Sequence, residues 1–230
     1  MISSLLVHLG EHSEKKNIAE ILVVDGGSRD DTVKKAIRHG ARVITAEKGR
    51  AVQMNTGASK ARGEILYFLH VDTLPPKGFD QQIINAVSLG ALYALFALIN
   101  AVDQGYETGC FRMRFDTKNP FLQLFAYLSR INHTLCRGGD QSLFVTKSIF
   151  EEEKGFNEAY LIYEDSELIR RLYQKTAFKV LKDSVVTSAR KYREKGWLKV
   201  QFHFAMIHFK YYLGTDPETL YAYYKNRLLN

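Results

Sequence analysis

Apolar residues along this chain follow two rhythms. Continuous apolar runs alternate with stretches in which apolar residues recur every three or four positions. Ile2, Leu5, Leu6 and Leu9 fall at i, i+3, i+4 and i+7, which predicts a helix over residues 2–16. Glu20-Ile21-Leu22-Val23-Val24-Asp25 is continuous, as expected of a strand covered on both faces in an α/β sheet. Asp30 or Asp31 then caps a short helix carrying Val33, Ala36 and Ile37, which stops at Gly40. Arg42 to Thr45 predicts a brief strand. The basic loop Lys48-Gly49-Arg50 opens a helix to about Arg62, and Glu64 to Asp72 is a second continuous run. Strands and helices alternating at this spacing imply parallel strands with right-handed crossovers.

From about residue 105 the pattern changes. Gly109 to Phe115 alternates apolar and basic residues, as a half-buried strand does. Pro120 to about Cys136 predicts a helix with Phe121, Leu124, Phe125 and Leu128 on one face. Gly138-Gly139-Asp140-Gln141 reads as a turn into the strand Ser142 to Val145. Tyr163-Glu164-Asp165 opens a helix through Leu172, and Val180-Leu181 and Val185-Val186 read as strands. Trp197 to Leu213 is aromatic, basic and helical in period. It reads as a helix packed on the core or in a dimer contact, or as an in-plane membrane helix suited to a lipid-linked acceptor.

Composition narrows the class. The 230 residues are 46% hydrophobic, enough to bury the core of one α/β domain. A net charge of +7 suits an anionic ligand or an anionic membrane surface. That charge is spread, so no nucleic-acid partner is expected. Cys110 and Cys136 fit no metal-ligand spacing and read as reduced thiols of a cytoplasmic protein. No signal peptide is expected from the first residues. The apolar stretch from Leu89 to Val102 is too short to span a bilayer and reads as a buried helix or a helix–strand pair.

Two of the apolar runs end on a carboxylate. Ligands of open α/β sheets bind beyond the carboxyl ends of the strands. Asp25, followed by Gly26-Gly27, could accept from a nucleobase or ribose while the glycines admit a ligand to the backbone; Asp at a turn also serves local hydrogen bonding alone. Asp72 could hold Mg²⁺ or Mn²⁺, which take few protein ligands when a nucleotide is present. His70, two residues earlier, would share its strand face, and is otherwise a satisfied core histidine. Lys48 and Arg50 before a helix could bind an anion or form a solvated loop. Asp165 at a helix start could answer the helix dipole or act as a general base.

Taken in order, these motifs resemble a known family. Val23-Val24-Asp25-Gly26-Gly27-Ser28-x-Asp30-x-Thr32, Gly49-Arg50-x-x-Gln53-Met54-Asn55-x-Gly57-Ala58, Phe68-Leu69-His70-Val71-Asp72-Thr73-x-Pro75, Gly139-Asp140-Gln141 and Glu164-Asp165-x-Glu167-Leu168 resemble family 2 glycosyltransferases of the GT-A fold. The likeness extends to a bacterial subgroup with Leu-His-x-Asp-Thr at the metal position, the arsenosugar-biosynthesis type. It implies a mostly parallel, Rossmann-like sheet in one domain, with a nucleotide-binding half (1–104), an acceptor and catalytic half (105–195) and C-terminal helices (196–230). It implies metal-assisted, inverting transfer from a nucleotide-sugar, with a UDP-sugar favoured. Asp25, Gly26, Arg50, Asn55 and Arg190 would bind the donor. Asp72 and His70 would hold Mn²⁺ or Mg²⁺, Asp165 would be the base, and Asp140, Gln141 and Glu164 would lie near sugar or acceptor. The expected location is the cytoplasm, with peripheral contact at the inner face of the membrane.

Two departures stand out. The family's Asp-x-Asp is His70-x-Asp72 here, which lowers the negative charge at the metal. The family's opening strand has no counterpart, and residues 2–9 match the helix that follows it. A missing central strand would leave its neighbours with unpaired edges. Weaker stability and donor binding are therefore expected, along with a nucleotide-sugar-binding protein without turnover, or a basic membrane-surface scaffold, as alternative functions.

Overall fold

The computed structural model describes residues 1–14, 17–96 and 105–229, with backbone alone for 89–96. The chain runs α1 (Ile2–His12), β1 (Leu22–Asp25), α2 (Thr32–Arg38), β2 (Arg42–Thr45), α3 (Arg50–Lys60), β3 (Ile65–Phe68), β4 (Thr73–Leu74), α4 (Phe79–Phe96) and β5 (Thr108–Phe115). It continues through α5 (Pro120–Leu128), β6 (Leu143–Thr146), α6 (Lys147–Glu152), α7 (Glu164–Lys175), β7 (Phe178–Thr187), α8 (Arg190–Lys195), α9 (Trp197–Tyr212) and α10 (Pro217–Tyr224). The apolar stretch from Leu89 to Val102 ends outside the described residues; its first part continues α4 to Phe96.

The strands form two sheets. β1 and β2 are a parallel pair, and the other five run in the order β3-β6-β5-β7-β4. The larger sheet is mixed rather than mostly parallel: β6 is antiparallel to β3 and β5, β4 is antiparallel to β7, and β5 and β7 are parallel. Successive side chains on a strand point to opposite faces, and the core divides accordingly. Phe111 and Phe144 join Leu5, Leu9, Phe79 and Ile83 under α1 and α4. Their neighbours Cys110 and Val145 join Leu66, Phe150, Leu168 and Leu172 under α3 and α7. Gly109 lies where the sheet has no room for a side chain: a Cβ would sit 2.4 Å from the Lys179 carbonyl oxygen and from the Phe144 ring.

Among the described residues, β1 pairs only with β2, and β3 only with β6. Their free edges border one cavity of about 1410 Å³. Every residue from Ile21 to Asp25 and from Ile65 to Leu69 lines it. A cavity against a sheet face would meet alternate residues, so this one runs along strand edges. The expectation of unpaired edges beside β1 matches this slot.

Three elements differ from the sequence reading. The second apolar run stops being a strand at Phe68, because the Thr73 N–H bonds the His70 carbonyl (3.1 Å) and turns the chain into β4. His70 and Asp72 therefore sit in a turn beyond the strand rather than on one strand face. The predicted Pro120–Cys136 helix ends at Leu128, where the buried Ser129 hydroxyl donates to the Ala126 carbonyl (2.5 Å) and accepts from the Met113 N–H (3.0 Å). The two short strands predicted around residue 183 are one strand, β7, whose pairing with β5 shifts register between Phe111 and Arg112.

Candidate active site

The carboxyl ends of β1 and β3 meet at one end of the slot. Asp25, at the last position of β1, is buried, and its carboxylate accepts from the N–H groups of Gly27 (3.0 Å) and Ser28 (3.0 and 3.2 Å). Hydrogen bonds from Ser28, side chain and backbone, and from the Gly27 amide hold the carboxyl below the usual range despite burial. Gly27 adopts φ +94°, the left-handed conformation this turn needs. Gln53 of α3 donates to the Val24 carbonyl (2.9 Å) and lies close enough that a Cβ on Gly26 would stand 3.0 Å from its amide. Asp25 is thus a turn anchor that still presents an ionised carboxylate to the cavity.

Arg50 occupies the first turn of α3 and ties the two halves of the chain together. Its Nη2 donates to His70 Nε2 (2.5 Å), its Nε lies 3.0 Å from Glu164 Oε1, and Nη2 lies 3.5 Å from Asp165 Oδ2. On the other side of His70, Nδ1 stands 4.0 Å from Asp140 Oδ1. Burial and the Arg50 charge lower the His70 pKa, so the imidazole is neutral at pH 7. The Asp140 side chain is half open to solvent. Desolvation pushes its carboxyl up, His70 and Arg50 oppose this, and Asp165 and Asp72 add to it.

Glu164 and Asp165 begin α7, yet they differ. Glu164 is completely buried, and neither carboxylate oxygen makes an aligned hydrogen bond among the described residues, despite the ion-pair distance to Arg50. Burial, then repulsion from Asp165, raises its pKa to about 7 against the pull of Arg50. Asp165 is more open and accepts from the Ser166 N–H (2.7 Å). Tyr163 precedes them in a left-handed conformation (φ +71°), with its hydroxyl hydrogen-bonded to His208 Nδ1 of α9 and its ring 4.6 Å from that of Tyr211. Tyr163 and Gln53 are contributors the sequence reading passed over. Gln53 lies inside a quoted motif and Tyr163 directly precedes another, but nothing in residue type alone marks them.

The predicted site residues divide into three groups. Asp25, Gly26, Arg50, His70, Asp72 and Arg190 line the cavity together. Asp140, Glu164 and Asp165 stand behind Arg50 and His70, linked to the cavity through them. Asn55 and Gln141 are not brought to it. Asn55 clasps α3 to a later turn, donating to the Phe156 carbonyl (2.9 Å) and Glu158 (2.8 Å) and accepting from the Phe156 N–H (2.9 Å). Gln141 is buried, accepting from Arg137 (2.6 Å) and donating to the Cys136 carbonyl (2.6 Å).

No cluster of three or more His, Cys, Asp or Glu stands ready for a metal among the described residues. The donor set fits a cation bound chiefly by other ligands. The Asp72 carboxylate has no hydrogen-bond or ion-pair partner among the described residues and opens onto the cavity. One such carboxylate suffices for Mg²⁺ or Mn²⁺ when phosphate oxygens and water complete the shell. His70 fits less well, because the Arg50 guanidinium covers Nε2.

The sequence profile of glycosyl transferase family 2 matches residues 2–148, more than half of the chain. The chain belongs to this family. No curated protein sequence matches it. A mannosyltransferase, PcManGT of Pyrobaculum calidifontis, solved with GDP-Man and Mn²⁺, superposes with a TM-score of 0.63 at 18% identity, over 98% of this chain and 64% of that one. S. aureus TarS superposes with a TM-score of 0.58 at 18% identity, over 81% of this chain and 34% of that one. Glucosyl-3-phosphoglycerate synthase of Mycobacterium tuberculosis, solved with Mn²⁺, UDP and phosphoglyceric acid, gives 0.51 at 14% identity, over 80% and 64% of the two chains. These likenesses identify the GT-A fold, with the chain spanning less than two thirds of each solved protein.

Proposed function

We propose that this chain is a glycosyltransferase that moves a sugar from a nucleotide-diphospho-sugar to an acceptor hydroxyl, with inversion and with metal assistance. The observation that carries the reading is the Arg50 tie, which puts Asp165 within 3.5 Å of a group lining the same cavity as Asp25 and Asp72. Asp25 accepts from the base or ribose of the donor. Arg190, also on the cavity, faces the diphosphate. Asp72, with His70 beside it, would hold Mn²⁺ or Mg²⁺. When bound, the cation would supply charge stabilisation to the departing diphosphate.

Asp165 takes the proton of the acceptor hydroxyl as it attacks the anomeric carbon opposite the leaving group. Arg50, 3.5 Å from that carboxylate, keeps it aimed. Two of the solved neighbours carry GDP-Man or UDP with Mn²⁺, which favours a nucleotide-sugar and that metal. The Leu-His-x-Asp-Thr motif favours the arsenosugar-type subgroup, with a UDP-sugar as donor and a hexosyl or related group in transfer.

A thermal-shift panel of UDP- and GDP-sugars with Mn²⁺ or Mg²⁺ tests donor binding without knowledge of the acceptor. The expected result is a metal-dependent rise with one nucleotide class, abolished by Asp72→Ala. A rise that persists unchanged in that variant counts against the assignment. A second reading, donor binding without turnover, draws on the unpaired edge of β1, the strand that delivers Asp25.

A further inference from the structure

The apolar stripe of α5, which by period alone would pass for a core face, points outward. Leu122 and Ala126 are its buried anchors, packed with Phe115 and Ala189, while Phe121, Leu124, Phe125 and Leu128 are exposed. α9 repeats the arrangement. Val200 and Ile207 are buried, and Leu198, Phe202, Phe209 and Leu213 recur along one exposed face. The two stripes join where the Phe121 ring stacks on Trp197, with centroids 4.4 Å apart. Single exposed apolar residues are ordinary, whereas a continuous face on two touching helices marks an interaction surface.

We propose that α5 and α9 together form a face that lies in the plane of an anionic lipid bilayer. Charge selects this occupant. Residues 117–139 and 195–215 contain no Asp or Glu, and they supply Lys118, Arg130, Lys195, Lys199 and Lys210. The Arg130 guanidinium rests 4.6 Å from the Tyr127 ring at the end of α5. A second copy of the chain on a two-fold axis would set this basic face against itself, whereas anionic headgroups complement it. No helix among the described residues is long and apolar enough to cross a membrane. Apolar stripes flanked by lysines, with a tryptophan between them, have the chemistry of in-plane interfacial helices.

The inner side of α9 holds Tyr163 through His208 and Tyr211, and Tyr163 directly precedes Glu164 and Asp165. Docking of the outer side therefore sets the acid pair about one helix diameter, ~10 Å, from the lipid surface. Neither the exposed face nor its charge depends on the transfer reaction.

Vesicle flotation tests it, using phosphatidylcholine alone and phosphatidylcholine mixed with phosphatidylglycerol. The double variant Leu124→Glu/Phe202→Glu removes two residues of the face. Ile37→Glu, an equally exposed position on α2, controls for added charge. The chain and the Ile37→Glu variant should float with the anionic vesicles only, and release as salt is raised. The double variant, with an unchanged thermal midpoint, should bind at least about tenfold more weakly. Equal flotation with neutral vesicles, full binding by the double variant, or a dimer in solution that this variant splits while neither protein floats would each overturn the proposal.

Discussion

Replacing Glu164 by Gln should stabilise the protein above neutral pH and do little at pH 5. Glu164 is fully buried without an aligned hydrogen bond, and its pKa is raised from 4.5 to about 7. A carboxyl whose pKa is higher in the folded state binds more protons there than in the unfolded chain. Its contribution is fully present below the unfolded pKa and is lost as pH rises through the folded one. The window therefore lies between about pH 4.5 and 7. A shift of roughly 2.5 units at 1.36 kcal/mol each corresponds to about 3 kcal/mol lost by pH 8. Gln keeps the shape of the neutral acid and has no such loss. In a protein of this length about 3 kcal/mol corresponds to ~6–12 °C in thermal midpoint. Midpoints of the two proteins measured from pH 5 to pH 8 should converge at the acid end and separate progressively toward pH 8, with Glu164→Gln higher. A separation that is constant with pH, or that grows toward acid, refutes the assignment of a raised pKa to this side chain.

Other consequences are as direct. Arg50→Lys keeps a positive charge but loses the planar fork that meets Glu164, Asp165 and His70 together; nucleoside diphosphate release from the donor should fall at least ~10-fold in kcat, and an unchanged rate would remove Arg50 from the site. Gly109→Ala forces a methyl against the Lys179 carbonyl and the Phe144 ring, and should cost about 3 kcal/mol or prevent folding, read by urea denaturation. An apolar, β-branched strand placed ahead of Met1 should pair with the free edges of β1 and β3. It should raise the thermal midpoint by at least ~5 °C, and an unchanged midpoint would count against the slot as a strand site.

Much of the fold was legible because its signals are local. The continuous run to Asp25 needed only apolar residues and a Gly-Gly stop, and it forms β1 as read. The i, i+3, i+4, i+7 spacing of α1 was equally sufficient. What escaped depends on contacts distant in sequence. The turn at His70 follows from β4 leaving to pair with β7, more than a hundred residues later. The early end of α5 depends on Ser129 bonding Met113 in a neighbouring strand. Periodicity located the stripe on α5 and could not say whether protein or solvent faced it. Within the site, the residue types at Asp25, Arg50, Asp72 and Asp165 were readable. Sequence could not reveal that Glu164 is sealed beneath Arg50, or that Asn55 and Gln141 are spent on internal hydrogen bonds.

The central claim is that Asp165 removes the acceptor proton in a nucleotide-sugar site anchored by Asp25 and Asp72. Asp165→Asn tests it most directly, through nucleoside diphosphate release from the donor identified by thermal shift, in the presence of Mn²⁺. Turnover should fall by about 10²–10⁴-fold while the donor-induced thermal shift is kept. Turnover near that of the unsubstituted protein, with donor binding intact, would contradict the account.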